Sequence, residues 1–189
     1  SGSIGENALS VIDSNKENFE LIGISANSNI EKVNKVIKKY NPKYIYINDK
    51  SARENILKTG NEVICEDENE LSDIFNSSDV DIVISAISGF AGIKSTFQAA
   101  KSGKKLLLAN KESIVAGGSL LMKTIKENNT ELVPIDRFAC RSLILYLKEP
   151  PPTHRSIPES IHIALTTYSP RITTGSLDYD LWVVEMWPV

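Results

Sequence analysis

The sequence predicts an α/β protein, with a doubly wound parallel sheet over residues 1–136 and an irregular tail over residues 137–189. Three observations carry this. Short apolar runs alternate with helix-period stretches from Phe19 to Asp136, the pattern of a parallel sheet flanked by helices. Two of the runs, at 82–84 and 106–108, are continuously apolar, as strands buried on both faces are. Composition also changes abruptly near Asp136. No asparagine follows Asn129, and both histidines, both tryptophans and every arginine except Arg53 lie beyond Asp136.

The elements follow in order. Gly2-Ser3-Ile4-Gly5, then Ala8, Leu9, Val11 and Ile12, reads as a tight glycine turn opening a helix; such a turn can receive a phosphate on backbone N–H groups. No strand precedes it in the sequence, and a plain loop-to-helix turn would show the same residues. Phe19 to Ile24 is a strand that ends in small neutral residues, Ser25 to Asn29. Ile30, Val33, Val36, Ile37 and Tyr40 share a helix face, which Asn41-Pro42 closes. Residues 44–47 form a strand, 50–58 a short helix and 62–65 a brief strand. The acidic run Glu66-Asp67-Glu68 starts a helix carrying Leu71, Ile74 and Phe75, where acids favour the helix dipole. Residues 81–87 form a buried strand, and Ser88-Gly89-Phe90-Ala91-Gly92 is a second glycine turn into a helix that Gly103 ends.

The stretch Leu106 to Ser113 is the centre of the sequence. An apolar strand gives way, with no turn glycine, to Asn110, Lys111, Glu112 and Ser113. An amide, a cation, an anion and a hydroxyl thus stand at a strand's carboxyl end, where open α/β sheets bind ligands. An ordinary strand end with Ser113 capping the next helix accounts for the same residues. A helix with Leu120, Leu121, Met122 and Ile125 follows, then a strand, Leu132 to Ile135, that delivers Asp136. In the tail, 143–147 and 161–165 read as strands, and Pro150-Pro151-Pro152 as an extended segment.

A net charge of -3 points to no nucleic-acid or anionic-membrane partner, and no apolar run reaches membrane-spanning length. Cys65 and Cys140 form no Cys/His cluster, so both read as buried, inert thiols of a reducing compartment. His154 and His162 are too far apart for a local ligand pair. At the end of the Phe19 strand an acid would repel a 2′-phosphate. Its absence admits NADP.

Four runs taken together carry a resemblance: Gly2 to Gly5, Ala86 to Gly92, Leu108 to Ser113, and Val133-Pro134-Ile135-Asp136. In order and spacing they resemble 1-deoxy-D-xylulose 5-phosphate reductoisomerase, an enzyme family of the non-mevalonate isoprenoid pathway. The resemblance covers residues 1–136 and implies a Rossmann-like NADPH-binding domain with its first strand missing. It implies that Ser1, Gly2, Ser3 and Ile4 hold the cofactor phosphates and that Asn27, Ser28 and Asn29 lie near the adenosine ribose. Asn110 and Glu112 would contact NADPH, Lys111 the sugar phosphate substrate, and Asp136 a Mg²⁺ or Mn²⁺ ion. A homodimer is implied, in a bacterial cytoplasm or a plastid.

This sequence departs from the family immediately after Asp136. The family continues Ser-Glu-His, whose serine binds substrate and whose glutamate is a second metal carboxylate. Here Arg137-Phe138-Ala139 follows. With the break in composition, a shifted reading frame from Arg137 is the simplest account of residues 137–189. The expectation is therefore a truncated reductoisomerase without turnover, and with weak NADPH binding for want of the first strand. The alternatives are a non-catalytic NADP-binding module with an interaction tail, and a simple NADP dehydrogenase, against which the Asn-Lys-Glu run argues.

Overall fold

The alternation of strand and helix is realised as a seven-stranded sheet in which every pairing is parallel. The computed structural model describes residues 3–60, 62–148 and 179–184. The strands are β1 (Phe19–Ala26), β2 (Tyr44–Ile47), β3 (Val63–Cys65), β4 (Ile82–Ser85), β5 (Lys105–Leu108), β6 (Glu131–Pro134) and β7 (Tyr179–Val184). Their order is β3-β2-β1-β7-β4-β5-β6. The chain therefore builds outward in opposite directions from a central slot, which is what doubly wound means.

Alternating side chains divide the core into two layers. On one face Ile24, Ala26, Ile45, Ile47, Ile82, Ile84 and Ala86 pack with Ile12 of α1 (Ser3–Ser14) and Val33, Val36 and Ile37 of α2 (Ile30–Tyr40). On the other, Val83, Leu106, Leu108 and Leu132 meet four helices: α4 (Glu70–Asn76), α5 (Ile93–Lys101), α6 (Lys111–Glu127) and α7 (Arg137–Lys148). Burying one such aliphatic side chain contributes roughly 1.5–3 kcal/mol, so the two layers hold the sheet between them. Helix ends fall where the local chemistry puts them. Asn29 accepts from the Lys32 N–H to start α2, and Asn41, left-handed at φ 50°, ends it through the Ile37 carbonyl. The short helix α3 (Lys50–Arg53), capped by Asp49, stops well before the predicted residue 58.

Over β4 to β6, the α1 face is only partly covered among the described residues. There a cavity of about 380 Å³ is lined by Ile4, Ala8 and Val11 of α1 with Ile82, Ile84, Leu107 and Ile135.

The tail departs from the sequence reading in two ways. Residues 143–147 lie inside α7, not in a strand. Ala139 and Leu143, four apart, are both fully buried, the spacing of one helix face. The slot left by the expected missing strand is occupied by β7, whose partners are β1 and β4. The proposed strand 161–165, His154, His162 and the proline run lie outside the described residues. Among the described residues no helix is long and apolar enough to cross a membrane.

Cys65 is buried and Cys140 half-buried. Burial, with Glu70 adding to it, pushes the Cys65 thiol up to about 11. Burial, then Asp136, also raises Cys140. Because the thiolate is the reactive form, neither cysteine is expected to react with a disulfide reagent at pH 8 at the rate of a free thiol. Reading two fast-reacting thiols in the native protein would contradict this; denaturation should release both.

Candidate functional site

In a parallel sheet every strand points its carboxyl end to the same edge, so loops far apart in sequence converge there. At this edge lie Ser25 and Ala26 at the end of β1 with Asn27 to Asn29 after it, Ser88 to Gly92 after β4, Ala109 to Ser113 after β5, and Asp136 after β6. The amino end of α1, which leads into β1 and packs on β7, lies at this edge too. Opposite winding on either side of the β7 slot opens a crevice here, the usual ligand position in such sheets.

Asn110 organises the edge. It is 3 % exposed, and both protons of its carboxamide are engaged. Oδ1 accepts from the Ser113 N–H at 2.6 Å, which makes Asn110, and not Ser113, the N-cap of α6. Nδ2 donates to the carbonyls of Ile87 and of Gly89, the latter at 2.8 Å. One side chain thereby ties the β5 turn to the β4 turn. Asn110 therefore has no side-chain proton left for a ligand and acts as a strut.

Beneath it runs a chain of buried hydroxyls. Thr96 Oγ1 donates to the Gly92 carbonyl at 2.6 Å. A hydroxyl has one proton, so Ser85 at 2.6 Å and Ser113 at 3.0 Å must both donate to Thr96. These three hydroxyls lock β4, α5 and α6 together. Sequence reasoning missed Thr96 and Ser85, because nothing local in the chain signals hydrogen bonds that only the fold brings about.

The two glycines of the β4 turn serve different ends. Gly89 has φ 72°, and a Cβ there would meet nothing within 4 Å, so its backbone faces open space. Gly92 is walled in: a Cβ would lie 2.5 Å from the Ile87 carbonyl and 2.7 Å from Asn110 Nδ2. Gly92→Ala is expected to cost about 1–3 kcal/mol through overpacking, measured by urea unfolding. Unchanged stability would show that the turn yields.

The remaining candidates fall into groups. Ser3 and Ile4 open α1, with Ser3 exposed, while Ser1 and Gly2 lie outside the described residues. Ile4 lines the apolar cavity, so its backbone N–H is what remains for a ligand. Asn27 accepts from Asn48 Nδ2 at 3.1 Å, Ser28 is exposed, and Asn29 is occupied as a helix cap. Beside them Ser25, 1 % exposed, has a hydroxyl without a hydrogen-bond partner. Lys111 is exposed and Glu112 half-buried on the first turn of α6. The Lys111 ammonium rests 5.0 Å from the centre of the Phe138 ring, which also carries Arg137 at 4.8 Å. Asp136 uses Oδ2 to accept from the Phe138 N–H at 3.0 Å, starting α7. Among the described residues no three His, Cys, Asp or Glu side chains are grouped to hold a metal ion.

A family model described as 1-deoxy-D-xylulose 5-phosphate reductoisomerase matches residues 1–118. The chain belongs to this family. Among relatives, the reductoisomerase of Francisella tularensis subsp. novicida is 43% identical over 137 residues, covering 71% of this chain and 35% of the relative. That of Vesicomyosocius okutanii is 41% identical over 138 residues, covering 71% and 36%. Solved reductoisomerases share the fold. One in complex with NADPH, fosmidomycin and magnesium has a TM-score of 0.66 at 30% identity, covering 79% of this chain and 37% of that one. One from Zymomonas mobilis in complex with NADPH has a TM-score of 0.66 at 32% identity, covering 72% and 36%. The chain thus spans about a third of the length of the reductoisomerases it matches.

Proposed function

We propose that the protein's activity is that of its family. This is the NADPH- and divalent-metal-dependent conversion of 1-deoxy-D-xylulose 5-phosphate to 2-C-methyl-D-erythritol 4-phosphate, in the cytoplasm of a bacterium. In this reading residues 1–136 are the NADPH-binding domain and residues 137–189 a tail of separate origin. The chain alone is a cofactor-binding module. The observation that carries this is the convergence of the α1 start, the end of β1 with the Asn27–Asn29 loop, and the Gly89 turn on one edge of a doubly wound sheet.

The residues fit a dinucleotide. The backbone N–H groups of Ser3 and Ile4, at the amino end of α1, suit the pyrophosphate. The Gly89 backbone faces open space where a flat ring can approach, and the buried Ser25 hydroxyl lacks a partner nearby. Asn27, Ser28 and Asn29 carry no charge, so nothing in that loop repels a 2′-phosphate. NADPH supplies a hydride to the substrate carbonyl when bound. Around it, Asn110 sets the two turns, Glu112 lies at the cofactor side and Lys111 offers a cation to the anionic substrate.

The metal does not fit the described residues. Mg²⁺ needs near-octahedral oxygen ligands, of which proteins commonly supply one or two carboxylates. Among the described residues Asp136 belongs to no group of three His, Cys, Asp or Glu, and one of its oxygens already caps α7. No step is assigned to a metal in this chain.

With β7 filling the central slot, the expectation of weak binding for want of a strand loses its physical basis. Titrating NADPH into the chain by nicotinamide fluorescence is expected to saturate, with NADPH held at least as tightly as NADH. No saturable binding, or a tenfold preference for NADH, would overturn the reading.

A further inference from the structure

The loop Asn27-Ser28-Asn29 carries no charge, so it admits a 2′-phosphate without attracting one by a cation. Hydrogen-bond donors are the remaining means. Ala26 of β1 stands beside Ile47 of β2, and the pairing runs on past both strands. The Asn48 N–H donates to the Ala26 carbonyl at 2.9 Å, and the Asp49 N–H to the Asn27 carbonyl at 3.0 Å. Asn27 and Asn48 are therefore lateral neighbours at the carboxyl edge. Side chains alternate along a strand. Ile24 and Ala26, with Ile45 and Ile47, take the α2 face. Ser25, Asn27, Tyr46 and Asn48 accordingly take the other, where Tyr46 packs against the core layer under α4 and α5. Four polar side chains thus share one corner of the crevice, and the deepest of them, Ser25, is the buried hydroxyl without a partner.

We propose that Tyr46 and Asn48 are positioning residues that turn the Asn27 amide toward the adenosine 2′-phosphate, and so set a preference for NADPH over NADH. This rests on the cofactor reading given above. The three side chains form a relay. The Tyr46 hydroxyl donates to Asn48 Oδ1 at 3.3 Å, and Asn48 Nδ2 donates to Asn27 Oδ1 at 3.1 Å. An amide has one acceptor end and one donor end. With its oxygen held by Asn48, Asn27 presents Nδ2, whose two protons meet no acceptor among the described residues. An ionised phosphate takes a charge-assisted hydrogen bond from such a group, about twice as strong as a neutral one. The 2′-hydroxyl of NADH is neutral and takes only the weaker kind. It would gain more from an acceptor facing it, and the relay keeps the Asn27 acceptor turned away. Ser28, exposed beside Asn27, adds a hydroxyl that can donate to the same phosphate.

Nicotinamide fluorescence titrations with NADPH and with NADH test the relay. The unaltered chain is expected to hold NADPH about tenfold more tightly than NADH. Asn48→Leu frees the Asn27 amide to turn, and should weaken NADPH by about threefold. Asn48→Asp can only accept, so it draws Asn27 Nδ2 to itself and turns Oδ1 outward; NADPH should weaken by about tenfold or more. Affinity for NADH should change by less than about twofold in either variant, since the lost discrimination is against the phosphate. All three relay side chains are exposed or half-buried, so the variants should fold. Tyr46→Phe, which keeps the ring in the core, should shift the ratio the same way. In an Asn27→Ala background, Asn48→Leu should leave both affinities as they are, because the relay then has no end to act through. Equal losses for NADPH and NADH would mark Asn48 as structural only and overturn the proposal. So would an effect of Asn48→Leu that persists without the Asn27 amide, or an unaltered chain that binds the two cofactors equally. Each of those results leaves saturable cofactor binding, and with it the cofactor reading, in place. An unaltered chain that binds neither cofactor overturns both.

Discussion

Asn110→Asp is expected to lower the unfolding free energy by roughly 3–5 kcal/mol at neutral pH, the cost of a buried charge without a partner. The amide donates to the Ile87 and Gly89 carbonyls, and a carboxylate can donate to neither. It would instead press a negative charge against two carbonyl oxygens in a nearly dry site. Burial and those oxygens both disfavour the charged form, so the introduced carboxyl has its folded pKa raised above its unfolded value. Protonated, it can still donate one of the two hydrogen bonds. The penalty is therefore smallest below the unfolded pKa and grows as pH rises through the folded one. Urea unfolding at pH 4.5 and pH 8 measures it. Asn110→Leu, which removes the hydrogen bonds without adding charge, should show no such pH dependence. A difference that does not change with pH would mean the site admits water and the amide is no strut.

The same residue shows how far the sequence could be read. That Leu106 to Leu108 is a strand and that a polar cluster follows was plain from the pattern, because strand burial is written in a local run of apolar residues. The partners of Asn110 were not. Ile87 and Gly89 lie over twenty residues away, and their proximity exists only once β4 and β5 are paired. The resemblance implies that Asn110 touches the cofactor; both of its amide protons go to the protein, which leaves Oδ1 and the backbone for that contact. Thr96 and Ser85 stayed hidden for the same reason: a hydroxyl on an apolar helix or strand carries no local mark of its partner.

The tail was legible in composition and not in structure. Leu143 to Leu147 is as apolar as any strand, and short apolar runs do not separate strand from helix. What decided for a helix was Asp136. Its carboxylate accepts from the Phe138 N–H, and its carbonyl accepts from Cys140, so the chain turns helical at once after β6. The occupation of the central slot by residues 179–184 could not be read at all. It depends on a vacancy between β1 and β4 that exists only in the assembled sheet.

With 1-deoxy-D-xylulose 5-phosphate, NADPH and either Mg²⁺ or Mn²⁺, the chain is expected to show no measurable NADPH oxidation. The reason lies at residues 136–138. Asp136 offers a single carboxylate, already engaged at the start of α7, and the next side chain but one is the Phe138 ring, with Lys111 and Arg137 against it. Two cations repel a divalent ion there, and the Phe138 ring supplies no oxygen where a second carboxylate is needed to hold it. The variant Arg137→Ser with Phe138→Glu tests this directly. It removes one cation, gives Lys111 an anionic partner and sets a second carboxylate within two residues of the first. Isothermal titration with Mn²⁺ is expected to show no binding to the unaltered chain and weak binding to the variant. NADPH affinity should be unchanged, because the altered residues lie after β6, away from the α1 start and the Gly89 turn. Metal-dependent turnover by the unaltered chain would refute the account of Asp136. A variant still blind to Mn²⁺ would show that the missing ligands lie beyond this turn, and that two neighbouring carboxylates alone do not make the centre.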